Sequence, residues 1–131
     1  MFYLKFRVHE HPKTYNRIAR LHWSKIAKEA KKWHEIVMYS TAGKRPTAPL
    51  SKAFLRLTRA SSTISDFDGL VSSFKYVIDG LVVNRVLAND TPLVIGSPEY
   101  RWTKAKSKKG WIEVEVWDAE AWTKENAAKA P

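Results

Sequence analysis

Residues 2 to 9, FYLKFRVH, place Phe2, Leu4, Phe6 and Val8 on one side and Tyr3, Lys5, Arg7 and His9 on the other. A period of two over that length predicts a strand with one buried face, and Pro12 ends it. The period then lengthens. From Thr14 to Tyr39, Ile18, Leu21, His22, Ile26, Ala30, Trp33 and Val37 recur at three- and four-residue spacing. That spacing predicts a long amphipathic helix, capped by Thr14 or Asn16, with Lys25, Lys28, Glu29, Lys31 and Lys32 largely outward. A chain that must bury a sheet face and then a helix stripe needs a core held between two layers.

The rest of the chain keeps switching between these periods. STAGKRPTAPLS, residues 40 to 51, is a loop by its Gly, Pro, Ser and Thr content. Residues 53 to 59, AFLRLTR, form a second strand with Ala53, Leu55 and Leu57 on one face. A second helix is expected from Asp68 to about Leu81, then a turn at Asn89 to Pro92. Residues 93 to 102 and 111 to 117 are expected to close the fold as a pair of strands, joined by the basic segment Lys104 to Gly110. The tail from Asp118 to Pro131 carries no motif. Strands and helices intermix without regular alternation, so the expected class is α+β: one domain over residues 1–131, with a small mixed sheet and helices packed on one face as two layers.

Composition narrows the chemistry. There is no cysteine among the 131 residues, which excludes disulfides, a thiolate nucleophile and Cys-based zinc sites. No apolar run approaches the roughly 18 residues that span a bilayer, and MFYLKFRVHEHPK lacks the pattern of a secretory leader, so a cytoplasmic protein is expected. The net charge of +10 and pI near 9.9 make nucleic acid the first partner to consider. The charge is clustered. Lys44, Arg45, Lys52, Arg56 and Arg59 fall in an acid-free stretch between Glu35 and Asp66, and Arg101, Lys104, Lys106, Lys108 and Lys109 form a second. Of these, Lys44, Arg45, Arg56, Arg59 and the five of the second stretch are candidate DNA contacts.

Against that background, four of the five aspartates, Asp66, Asp68, Asp79 and Asp90, lie within residues 66 to 90. On a helix, Leu70, Phe74, Val77, Ile78 and Leu81 make the apolar stripe, while Asp68, Ser72, Lys75 and Asp79 share the opposite, polar one. In the extended approach, Asp66 and Asp68 project together and Phe67 points away, toward the core. Each part has an ordinary reading: Asp68 as a helix cap, Lys75 and Asp79 as a surface pair. Together, and with Asp90 folding back from the later turn, they make a carboxylate set of the kind that hard cations such as Mg²⁺ prefer. A cation beside a basic channel, with Lys75 stabilising phosphate charge, is what phosphodiester hydrolysis needs. Trp102 and Trp111 could stack on unpaired bases, with core or interface packing as the ordinary alternative for Trp33 and Trp111. His9, His11, His22 and His34 form no metal constellation.

The string TRASSTISDFDGL, then FKYVIDGL, then a turn with AND and a carboxy-terminal strand resembles the RusA-like Holliday junction resolvases across about Phe54 to Val116. The resemblance implies a homodimeric endodeoxyribonuclease of the cytoplasm of a bacterium or a phage-infected host. Such an enzyme binds four-way DNA junctions and nicks two strands symmetrically in recombination and repair, using Mg²⁺, with Mn²⁺ as a substitute. It implies Asp66, Asp68 and Asp90 as metal ligands, Lys75 as a catalytic partner and Asp79 in support. Two positions depart from the family pattern. Gly69 stands where the family has asparagine, and Asn89 replaces the first aspartate of a D-D pair. The alternative is a basic DNA-binding accessory protein without catalysis, or an attenuated relative.

Overall fold

The computed structural model describes residues 2–13, 22–63, 66–106 and 108–119. Its elements are β1 (Tyr3–Val8), α1 (Trp23–Thr41), β2 (Ala53–Ser61), α2 (Phe67–Ser73), α3 (Lys75–Val83), the single-turn helix α4 (Pro92–Ile95), β3 (Glu99–Lys104) and β4 (Trp111–Asp118). The strands form one mixed sheet in the order β1-β4-β2-β3, so the fold is α+β. No helix among the described residues is long and apolar enough to cross a membrane.

The period-two strands bury the face that their alternation selects. Leu4 and Phe6 of β1, Leu55 and Leu57 of β2, and Ile112, Val114 and Val116 of β4 join one core with the helices. Trp33 and Val37 of α1 and Phe74, Val77 and Leu81 of the later helical region, all fully buried, supply its other side. Burying each such side chain stabilises the fold by about 1.5–3 kcal/mol. α1 crosses α3 closely because Gly80 has no side chain: a Cβ there would lie 3.0 Å from Val37 Cγ2. The opposite sheet face is polar and aromatic. Arg7 pairs with Glu113, Arg56 with Glu99, and Tyr3, Trp117 and Phe54 form a chain of tilted ring contacts.

Four expectations are corrected. The helix expected without a break from Thr14 to Tyr39 is interrupted at His22, which is extended and caps α1 by accepting a bond from the Ser24 amide on its ring; the expected start at Thr14, with the Thr14 and Asn16 caps, lies outside the described residues. The segment from residue 93 is not strand at its start, because Pro92 occupies the first turn of α4 and the chain reaches extended geometry only at Glu99. Nor do β3 and β4 pair as a closing hairpin. β2 lies between them, parallel to β3 and antiparallel to β4, so their connection passes over the end of β2. Gly110 permits that crossing, since at φ +58° a Cβ would collide with the Ala60 carbonyl oxygen. Finally, the second helix is broken in two. Ser72 and Ser73 donate their hydroxyls to the Gly69 and Leu70 carbonyls, and Phe74 adopts φ −91°, ψ 2° between α2 and α3.

Candidate functional site

Asp66 is the N-cap of α2. Its Oδ1 accepts the Gly69 amide at 2.7 Å, satisfying one of the donors that every helix start leaves open. Asp68 follows in the first turn, exposed, where a carboxylate complements the helix dipole. Phe67 is not in the core. It is 67 % exposed and meets Tyr100 edge-on at 6.4 Å, because entry into the helix turns its side chain outward over β3.

The apolar stripe of the second helical region survives the break. Leu70, Phe74, Val77, Ile78 and Leu81 are all buried. On the other side, Ser72, Lys75 and Asp79 line an open pocket of about 280 Å³ together with Ile78, Tyr100 and Asp90. Asp90 arrives from outside the helix, and its delivery can be traced bond by bond. α3 ends in a closing motif in which Val86 donates to the Leu81 carbonyl and Arg85 to that of Val82. Arg85 itself occupies the left-handed region at φ 64°. Val86 and Leu87 then turn into the core and are tied to Leu50, whose amide donates to the Val86 carbonyl and whose carbonyl accepts from Ala88. The Asp90 amide donates to Asn89 Oδ1 at 2.8 Å, and the Thr91 carbonyl starts α4. An aspartate at position 89 could make the same local bond, so Asn89 preserves the turn while removing a charge.

Asp79 and Asp90 line the same pocket, near enough for the charge of one to act on the other. Burial pushes the Asp79 carboxyl above the ordinary carboxylate range, Lys75 opposes the shift, and the neighbouring Asp90 adds to it. Two acids facing each other across a pocket wall, with one ammonium beside them, form a site of local electrostatic tension. His34 of α1 also acts on Asp79 through its charge field, and its Nε2 is buried without a hydrogen-bond partner among the described residues. His34 and Tyr100 were not marked by the sequence pattern, because neither belongs to the acidic window. Only the helix crossing and the strand pairing bring them near.

Asp66, Asp68 and Asp90, expected together, are not gathered as one set. Among the described residues no group of three or more His, Asp or Glu side chains is placed to hold a metal ion. The two that share a pocket are Asp79 and Asp90, beside Lys75, and Asp79 therefore belongs to this site.

The candidate DNA contacts divide in the same way. Lys44, Lys104, Lys106, Lys108 and Lys109 are exposed. Arg45 closes the end of α1, donating to the Met38 carbonyl at 2.7 Å and to Thr41 Oγ1 at 3.0 Å. Arg56 and Arg101 are both engaged by Glu99. Arg59 is buried. It donates to the Pro12 carbonyl, contacts His11 Nδ1 at 2.9 Å, and burial pulls its guanidinium down to about 10. Its role is to tie residues 11 and 12 to β2. Trp102 donates its indole N–H to Ser61 Oγ and packs partly buried against the core, and one face of the Trp111 ring carries the Arg7 guanidinium at 3.8 Å. No protein-family model and no curated protein sequence matches the chain.

Proposed function

We propose that the protein is a divalent-metal-dependent endonuclease acting on branched DNA, with four-way junctions as the first substrate to test. The observation that carries this reading is the meeting of Lys75, Asp79 and Asp90 in one open pocket, the last brought there by a separate turn. The resemblance to RusA-like resolvases in the same segment supports the substrate class. Lys75 binds and orients a phosphate oxygen, offering charge where it accumulates during displacement. Asp79, whose burial and acidic neighbour make it hold a proton more tightly than an ordinary aspartate, would release that proton to ligate the cation.

The donor set fits the implied cation in kind: two carboxylates, all oxygen, suit Mg²⁺, which binds through one or two carboxylates and retains waters. A cation between them would relieve the like-charge contact, and Asp66 and Asp68 stand on the helix start as further carboxylates. When bound, it supplies positive charge at the phosphodiester. Basic surfaces on the connection through Lys104, Lys106, Lys108 and Lys109 would carry flanking duplex. A homodimer, placing two such sites on one junction, completes the proposal.

The test is incubation of the protein with a labelled synthetic four-way junction and Mg²⁺ or Mn²⁺. Nicking by the wild type, lost in Asp90→Asn while junction binding persists, is the expected result. Absence of nicking with either ion would leave the second reading, a basic DNA-binding accessory protein. That reading is favoured by Asp66's use as a cap and by the lack of a three-acid group among the described residues.

A further inference from the structure

A second open pocket, of about 570 Å³, lies where the end of α1 meets β1. β1 and β3 are the two outer strands of the sheet, so this pocket and the one holding Lys75, Asp79 and Asp90 stand at opposite edges. Its walls carry Lys5 and Arg7 from β1, Tyr39 and Ser40 from the last turn of α1, and Lys44 just beyond.

The charge balance here is unequal. Lys5 and Arg7 both pair with one carboxylate, that of Glu113, at 3.3 and 2.8 Å. Lys44 has no carboxylate within 4.0 Å among the described residues. Three cations therefore face one anion, and both β1 cations remain about half exposed. Beside them Tyr39 is 75 % exposed, and its ring touches no other aromatic ring among the described residues. A large ring left in water at the rim of a cationic pocket is the arrangement that stacks a base while its flanking phosphates meet ammonium and guanidinium groups. Duplex DNA hides its base faces and has no use for the ring. An acidic peptide would satisfy the cations and leave the ring unused as well.

We propose that this pocket binds a single-stranded segment of nucleic acid, with Tyr39 stacking on a base and Lys44, Lys5 and Arg7 holding the adjacent phosphates. The site is independent of the acidic pocket and needs no divalent ion.

The experiment is fluorescence anisotropy of the full chain with a labelled oligothymidylate of about twelve nucleotides, in EDTA, over a salt series, beside a blunt duplex of the same length. Tyr39→Ala is expected to weaken single-strand binding about tenfold and Tyr39→Phe to change it less than about twofold, the duplex affinity of both staying within about twofold. Lys44→Ala should flatten the single-strand salt slope by about 0.7. Unchanged single-strand affinity in Tyr39→Ala overturns the proposal. So does an equal loss on the duplex, or competition by a mononucleotide or polyglutamate as effective as that by the oligomer. Because binding is read in EDTA, failure here leaves the nicking assay unaffected, and failure of nicking leaves this result standing.

Discussion

Asp66 and Asp68 on one side, and Asp79 and Asp90 on the other, make an instructive contrast. The first two are neighbours in sequence, and local physics accounts for much of what they do: Asp66 caps α2 and Asp68 complements its first turn. Asp79 and Asp90 are separated by the end of a helix, a left-handed residue and a bridge to Leu50, yet they line one pocket. No capping bond rewards that approach, and the proximity raises the Asp79 proton affinity. Acids explained by their own backbone are weak pointers to function. Acids held together against repulsion by distant parts of the chain are strong ones.

The largest expected effect breaks the tertiary pair. Asp90→Asn should lower Mg²⁺-dependent nicking by about a thousandfold, roughly 4 kcal/mol of barrier, with junction affinity unchanged in a gel-shift assay. Lys75→Ala should cost about a hundredfold in the same assay, and more in turnover than in substrate affinity.

Substitution at Asp66 separates capping from chemistry. Asp66→Ala should lose about 1 kcal/mol in denaturant unfolding, whereas Asp66→Asn, an equally good cap, should lose none. Asp66→Asn should still reduce nicking; full activity would confine Asp66 to its structural task.

Arg85→Gly addresses the turn that delivers Asp90. Relieving a non-glycine residue at φ 64° should raise stability by about 0.5 kcal/mol, with nicking retained. Smallest of all is the effect of Asp79→Asn on the thermal midpoint. The folded-state shift of Asp79 is upward, so its ionisation disfavours the fold, and that penalty grows as pH rises through the folded value. The variant should melt about a degree or two higher at neutral pH and match the wild type in acid, below the ordinary aspartate range. A gain that persisted in acid would mean that packing, not charge, is responsible.

Much of the fold was legible in sequence because it depends on periodicity. β1, β2, β4 and the apolar stripe through Leu70, Phe74, Val77, Ile78 and Leu81 bury the residues that their spacing selects. What escaped were features that periodicity does not encode. Pairing of β2 with β3 rather than β3 with β4 is a long-range choice among strands with similar patterns. The break at Phe74 comes from serine hydroxyls competing for helix carbonyls. At the site, the expected polar stripe of Asp68, Ser72, Lys75 and Asp79 is kept in part: Ser72, Lys75 and Asp79 line one pocket across the break, and Asp68 does not. Asp90 was expected to fold back beside the acids at the helix start, and it lines a pocket with Asp79.

By itself, the sequence determined which faces are apolar, where the acids cluster and how strongly cationic the chain is, since these follow from residue identity and spacing within single elements. Tertiary structure alone decided that Arg59 is buried, that Phe67 is exposed, and that Asp90 faces Asp79 beside Lys75. The reason is physical: a side chain's environment is set by whichever segments the core draws together, and burial of Val86 and Leu87 against distant parts of the chain carries the acidic turn to its place.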